Sequence, residues 1–155
     1  MITVRPATPA DAVVIAELLT QLGYPTTAAP IPARLAAIQG EGGIVLVAVS
    51  ERDRVVGLGS GARHATLHAG EQVAYITALV TAADSRGQGT GRALVGAIET
   101  WAASHGCTRL SVTSAEHRAD AHAFYPRCGF PYSGRRFTKR LMTARDETAP
   151  APPRT

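Results

Sequence analysis

The stretch Arg86-Gly87-Gln88-Gly89-Thr90-Gly91-Arg92 lies between an apolar run ending in Leu79-Val80-Thr81 and an amphipathic helix, and it has the makings of a pyrophosphate cradle. Alternating glycines let the backbone turn tightly and come close to a ligand. The helix start just beyond leaves orphan amides aimed at an anion, and Arg86 and Arg92 add positive charge on either side. From Thr90 to His105 the residues Leu94, Ile98, Trp101 and Ala102 share one face, which predicts a helix closed by Gly106. Arg109 to Thr113 then reads as a strand. A strand, glycine turn, helix and strand in that order must cross over right-handed into a parallel pair.

Upstream, Ile2 to Arg5 reads as a short strand, and Thr8-Pro9-Ala10-Asp11 as a helix start with an N-cap threonine, a first-turn proline and an acid three residues on. Ile15, Leu18, Leu19 and Leu22 recur at i, i+3, i+4 and i+7, and Gly23 with Pro25 stops that helix. The proline-rich stretch Tyr24 to Gly43 holds a helical fragment over Arg34 to Ile38 and reads either as the wall of a substrate pocket or as a connector. Ile44 to Val49 and Val55 to Leu67 form a hairpin around the polar turn Glu51 to Arg54, and Glu71 to Thr81 adds a third strand. Downstream, Ala119 to Cys128 is a short helix broken at Gly129-Phe130-Pro131, and Gly134 to Leu141 is a closing strand. The expected fold is α+β in three layers, a mixed, mostly antiparallel twisted sheet of about six or seven strands flanked by about four helices. Residues 1–142 are expected to form one domain, and 143–155, with prolines and no periodicity, a disordered tail.

A chain of 155 residues, 45% hydrophobic and 18% charged, can bury the core of one domain. No apolar run reaches the roughly 20 residues of a membrane span, and Met1-Ile2-Thr3-Val4-Arg5 lacks a signal-peptide core, so a cytoplasmic protein without a membrane partner is expected. The net charge is +4, but the 16 basic residues are spread along the chain and all except Lys139 are arginine. That spread argues against nucleic acid, and an anionic cofactor is the simpler account. Cys107 and Cys128 have no metal-like spacing and read as small buried hydrophobes in a reducing compartment.

Glycine alternation has competing readings. A Walker loop requires GxxxxGK[ST], and neither the lysine nor the spacing is here. A Rossmann fingerprint requires GxGxxG after the first strand, whereas this motif is mid-chain and Leu94 occupies the place of the third glycine. The hexad Arg86-Gly87-Gln88-Gly89-Thr90-Gly91 resembles the [Q/R]-x-x-G-x-[G/A] signature of the GNAT acetyltransferase superfamily. Leu79-Val80-Thr81 is similar to that family's splayed strand, which the resemblance implies binds the pantetheine arm and thioester. Phe124-Tyr125-Pro126-Arg127-Cys128-Gly129-Phe130 resembles its FYxxxGF motif. The likeness runs from about residue 2 to residue 142 and is weakest over Tyr24 to Gly43. Arg118-Ala119-Asp120-Ala121-His122-Ala123-Phe124-Tyr125 with Arg136-Phe137-Thr138-Lys139 resembles the branch of aminoalkylphosphonate N-acetyltransferase and similar small-amine enzymes.

The resemblance implies a GNAT-like sheet, acetyl-CoA as co-substrate, and direct transfer of the acetyl group to a primary amine, and it is compatible with a homodimer, which the sequence does not decide. It places Leu79, Val80, Thr81, Arg86, Gly87, Gln88, Gly89, Thr90, Gly91 and Arg92 against the cofactor and Tyr125 beside its sulfur as the general acid. An alkylammonium must lose a proton before it attacks, a step worth about 4 to 5 kcal/mol at neutral pH without a base. Many relatives carry a glutamate in the strand before the glycine turn, but Tyr75-Ile76-Thr77-Ala78-Leu79 has no carboxylate. Glu71, His64, His68, His122 or a base reached through water are the candidates. Arg118 replaces a familiar asparagine and reads either as a ligand to a phosphate or acidic acceptor or as a surface arginine. Glu41, Glu51, Asp53 and Glu71 are candidate partners for a cationic acceptor. The rival readings are a noncatalytic acetyl-CoA sensor and a transferase acting on a protein N-terminus or lysine.

Overall fold

The computed structural model describes residues 1–68, 70–113 and 119–143. The chain runs β1 (Thr3–Pro6), a 3-10 turn (Pro9–Asp11), α1 (Ala12–Leu22), α2 (Ile31–Gly40), β2 (Ile44–Val49), β3 (Val55–Ala65), β4 (Gln72–Thr81), a second 3-10 turn (Ala83–Ser85), α3 (Thr90–Ser104), β5 (Cys107–Val112) and α4 (Ala119–Arg127). The strands lie in the order β1-β2-β3-β4-β5. The first four are antiparallel neighbours and β5 runs parallel to β4, as the crossover through α3 requires.

Alternation along β2 shows how the layers form. Val45, Val47 and Val49 pack with Ile15, Leu18 and Ile31 of α1 and α2, while Leu46 and Ala48 pack with Leu94, Val95 and Ile98 of α3. Successive side chains point to opposite faces, so the sheet is covered on both sides. The entry to α1 follows the expected cap: Thr8 N–H donates to Asp11 Oδ2 at 2.8 Å. Asp11 also takes two hydrogen bonds from Arg5, at 2.9 and 2.8 Å, tying β1 to the start of the helix.

Those contacts make the Arg5–Asp11 pair sensitive to acid. The Arg5 guanidinium, with the Thr8 amide assisting against the opposing effect of burial, lowers the Asp11 carboxyl from 3.8 to about 2. A carboxyl whose folded pKa is depressed contributes stability above its unfolded value, and that contribution is lost as pH falls through the folded one. Between pH 5 and pH 2 the wild type should therefore lose about 2 kcal/mol more than Asp11→Asn. Urea denaturation of both proteins across that range measures the difference, and parallel curves would exclude the pair as an acid-sensitive contact.

β3 is interrupted by glycine for a packing reason. Gly57, Gly59 and Gly61 lie on the α3 face, where an added Cβ would meet Thr90 Cγ2 at 2.7 Å, Ile98 Cδ1 at 3.2 Å and Trp101 Cζ3 at 3.0 Å respectively. The stripe lets α3 press close against the strand. Gly57→Val would push on Thr90 in the first turn of the helix and should cost about 1 to 3 kcal/mol by overpacking. Chemical denaturation reads that loss directly, and unchanged stability would mean that the helix can shift without penalty.

The sequence predicts more strands than form. Gly134 to Leu141 adopts no strand, and the sheet has five strands among the described residues. The apolar side chains of the segment, Phe137 and Leu141, are 91% and 72% exposed and sit among Arg135, Arg136, Lys139 and Arg140. Nothing is buried that would offset the ordering of the backbone and the proximity of like charges. Arg136 of this segment donates to Thr113 Oγ1, just past the end of β5, at 2.9 Å. β3 also stops at Ala65 rather than Leu67, because Leu67 and His68 form a turn. Arg118 and residues 144–155 of the expected tail lie outside the described residues.

Candidate active site

β4 carries the site. Its whole length pairs with β3, but its ladder with β5 ends at Ile76↔Val112. Thr77 to Thr81 therefore has no strand on its second edge among the described residues. Ala82 N–H donates to Val56 C=O at 2.8 Å, so backbone alternation turns the N–H and C=O of Leu79 and Thr81 away from β3 and toward that edge. A β-bulge falls in the middle of the strand: Gly61 pairs with Ile76 and Ser60 with Ala78, leaving Thr77 as the extra residue.

The connection from β4 to α3 is braced from outside. Arg54 donates to Asp84 Oδ2 at 2.7 Å and to Ser85 Oγ at 3.1 Å, and Ala83 N–H donates to Gln21 Oε1 at 3.2 Å. Asp84 is held below its usual carboxylate range, first by the Arg54 hydrogen bond and then by Ser85. The brace balances a negative charge next to the glycine loop. Nothing in the sequence pointed to Arg54, which lies 30 residues from Asp84.

Gly87 and Gly89 have φ of 77° and 81°, in the left-handed region that glycine enters without strain, and among the described residues a Cβ at either would meet nothing within 4 Å. The loop thus presents bare backbone to open space at the head of α3. The N–H groups of Gly89, Thr90, Gly91 and Arg92 head that helix with no acceptor inside it. Arg86, Gln88 and Arg92 are exposed around them. Thr90 is only 1% exposed, and its methyl faces Gly57 of β3, so its amide rather than its side chain belongs to the loop. Its Oγ1 has no partner among the described residues.

α4 is docked on this same turn. A Cβ on Gly91 would lie 3.1 Å from Phe124 Cζ, so the missing side chain is what seats the ring, and Arg92 donates to Arg127 C=O at 3.3 Å. Phe124, Cys128 and Phe130 join the cluster of Leu79 and Leu94. Tyr125 is half-buried, with its ring edge-on to Phe124 at 5.4 Å and to Phe130 at 6.0 Å. Two motifs 33 residues apart in sequence, Gly91 and Phe124, are thus in contact. Cys107 and Cys128 are free thiols.

The suggested bases are placed less favourably. Glu71 precedes β4 at the end away from the loop and accepts from Thr108 at 2.8 Å. His64 pairs with Val73 in that same half of the strand, His68 lies in the β3–β4 turn, and His122 is exposed on α4 one turn before Tyr125. Of the acids suggested for a cationic acceptor, Glu51 pairs with the N-terminal ammonium, and Asp53 belongs to the β2–β3 turn. Sequence reasoning missed the close hydroxyl pair Ser60 and Thr77, with oxygens 2.6 Å apart at the bulge.

The family model described as "Acetyltransferase (GNAT) family" matches residues 14–130, from α1 to just beyond α4. The chain belongs to the GNAT acetyltransferase family. It is 30% identical over 131 residues to aminoglycoside N(6')-acetyltransferase type 1 of Stenotrophomonas maltophilia, covering 83% of this chain and 85% of that protein. It is 31% identical over 127 residues to the uncharacterized N-acetyltransferase YhdJ of Bacillus subtilis, covering 81% of this chain and 86% of that one. The fold is shared with glucosamine-6-phosphate N-acetyltransferase from Arabidopsis thaliana, with a TM-score of 0.78 at 21% identity over 92% of this chain and 99% of that one. This GNAT protein is an acyltransferase, and its family draws on acetyl-CoA as co-substrate. Among the described residues, no helix is long and apolar enough to cross a membrane.

Proposed function

We propose that this GNAT protein is an N-acetyltransferase that moves an acetyl group from acetyl-CoA directly to the primary amine of a small molecule. One observation carries the reading: the free edge of β4, the bare glycine loop and the FY turn of α4 meet at one place. The residues present suit such a ligand. A side chain at Gly87 or Gly89 would fill the space ahead of α3 where an anion is favoured by the helix dipole. The amides from Gly87 to Arg92 hold the pyrophosphate, with Arg86 and Arg92 neutralising it. The edge groups of Leu79 and Thr81 hold the pantetheine arm and polarise the carbonyl.

When bound, acetyl-CoA supplies an acyl thioester. The amine nitrogen, already without its extra proton, forms the C–N bond as the C–S bond breaks. The proton it sheds leaves to water, Tyr125 O–H supplies the one that sulfur takes up, and the phenolate regains a proton from solvent. Neither thiol is required, since Cys128 packs in the α3-side cluster and Cys107 lies in β5. The test is thiol release from acetyl-CoA across aminoalkylphosphonates, polyamines, aminoglycosides, amino acids and peptide N-termini. A small-molecule hit supports the reading, whereas turnover confined to peptides moves the acceptor to protein.

A further inference from the structure

On the face of the sheet opposite α3, the β4-side row Tyr75 and Thr77 and the facing His64 are left exposed by α1 and α2. Ser60 is 7% exposed, and its hydroxyl is paired with that of Thr77. Further along the same face, the His64 and Tyr75 rings stack with centroids 4.9 Å apart. Both contacts are made to even-numbered residues of β3, whose odd-numbered Gly57, Gly59 and Gly61 face α3. Thr77 and Tyr75 therefore share one open surface.

The direction of attack follows from what is closed. Phe124, Cys128 and Phe130 pack in the same α3-side cluster as Leu79, whereas Thr77 is exposed on the opposite face, so among the described residues the open approach to this edge lies over Thr77. In a hydroxyl pair one hydrogen is used internally, and the exposed Thr77 oxygen keeps a lone pair for a further donor. A neutral hydroxyl is too weak a base to deprotonate an ammonium near pH 7. It can accept one N–H of the free amine and so aim the nitrogen lone pair. Tyr75 lies two residues before Thr77 with its side chain exposed on the same face, so an acceptor whose nitrogen meets Thr77 can lay its carbon skeleton toward that ring.

Resting on the N-acetyltransferase reading above, the geometry points to Thr77, held by Ser60, as the residue that positions the acceptor amine. It points equally to Tyr75, backed by His64, as the shelf that selects acceptors carrying a six-membered ring, aromatic or pyranose, close to the amine. An aromatic face stacks on either kind of ring.

The probes are benzylamine, 2-phenylethylamine and kanamycin A, with n-butylamine as the ringless control. Two readouts are taken: kcat/KM from thiol release, and calorimetric binding of each amine to the protein saturated with CoA. The ring amines should exceed n-butylamine by about tenfold or more in both. Tyr75→Ala should erase that margin while the Kd of acetyl-CoA holds. Thr77→Val should lower kcat/KM about tenfold or more for every amine with Tm and acetyl-CoA affinity kept, and Thr77→Ser should restore it. Equal use of ring and ringless amines overturns the shelf, and Thr77→Val within twofold of wild type overturns the positioning role. Acetyl-CoA binding with no amine turned over or bound overturns the small-amine reading itself, and this inference with it.

Discussion

Tyr125→Phe is expected to lower kcat about 100-fold while leaving the Kd of acetyl-CoA unchanged. Phenylalanine keeps the edge-on ring contacts with Phe124 and Phe130, so the seat of α4 on Gly91 stays filled and only the hydroxyl is removed. The loss falls on the departure of sulfur, because an unprotonated thiolate is the poorer leaving group as the C–S bond breaks. Steady-state thiol release at saturating amine, with Tm to confirm a folded variant, decides the matter. Turnover within twofold of wild type would show that sulfur takes its proton from water.

What could be read from the sequence was what local chemistry dictates. The glycine loop, the long amphipathic α3 and the crossover to a parallel strand all follow from residues close together in the chain, and each forms within a residue or two of its expected bounds. The FY motif was legible as a resemblance, but its seating on Gly91 was not, because a glycine in a helix start looks like loop chemistry until Phe124 arrives from α4. β3 shows the same limit. Gly57, Gly59 and Gly61 read as interruptions of a strand, and only the approach of α3 turns them into a groove. Long-range pairs such as Arg54 with Asp84 leave no periodicity behind. The bulge at Thr77 was hidden for a related reason, since one extra residue in a strand is defined by its neighbour rather than by its own sequence. Gly134 to Leu141 failed in the other direction: its short apolar alternation imitates a strand, but it has no surface to bury.

Gly89→Glu is expected to weaken acetyl-CoA binding at least about 100-fold, through two effects that can be separated. Gly89 is the N-cap of α3 and holds φ at 81°, so any side chain there costs about 1 to 2 kcal/mol of backbone strain or reshapes the loop. A carboxylate adds a negative charge where the helix dipole and the orphan amides attract one, so it competes for the site and repels the pyrophosphate. Gly89→Ala carries the strain without the charge and should bind about tenfold more weakly than wild type, between the other two. Calorimetry of all three proteins at low and high salt tests both parts. Screening should recover some of the affinity of the glutamate variant and little of the alanine variant, because strain is indifferent to ionic strength. Wild-type affinity in Gly89→Glu would mean that the anion is bound elsewhere, and equal losses in the two variants would assign the whole effect to the turn and none to the helix end.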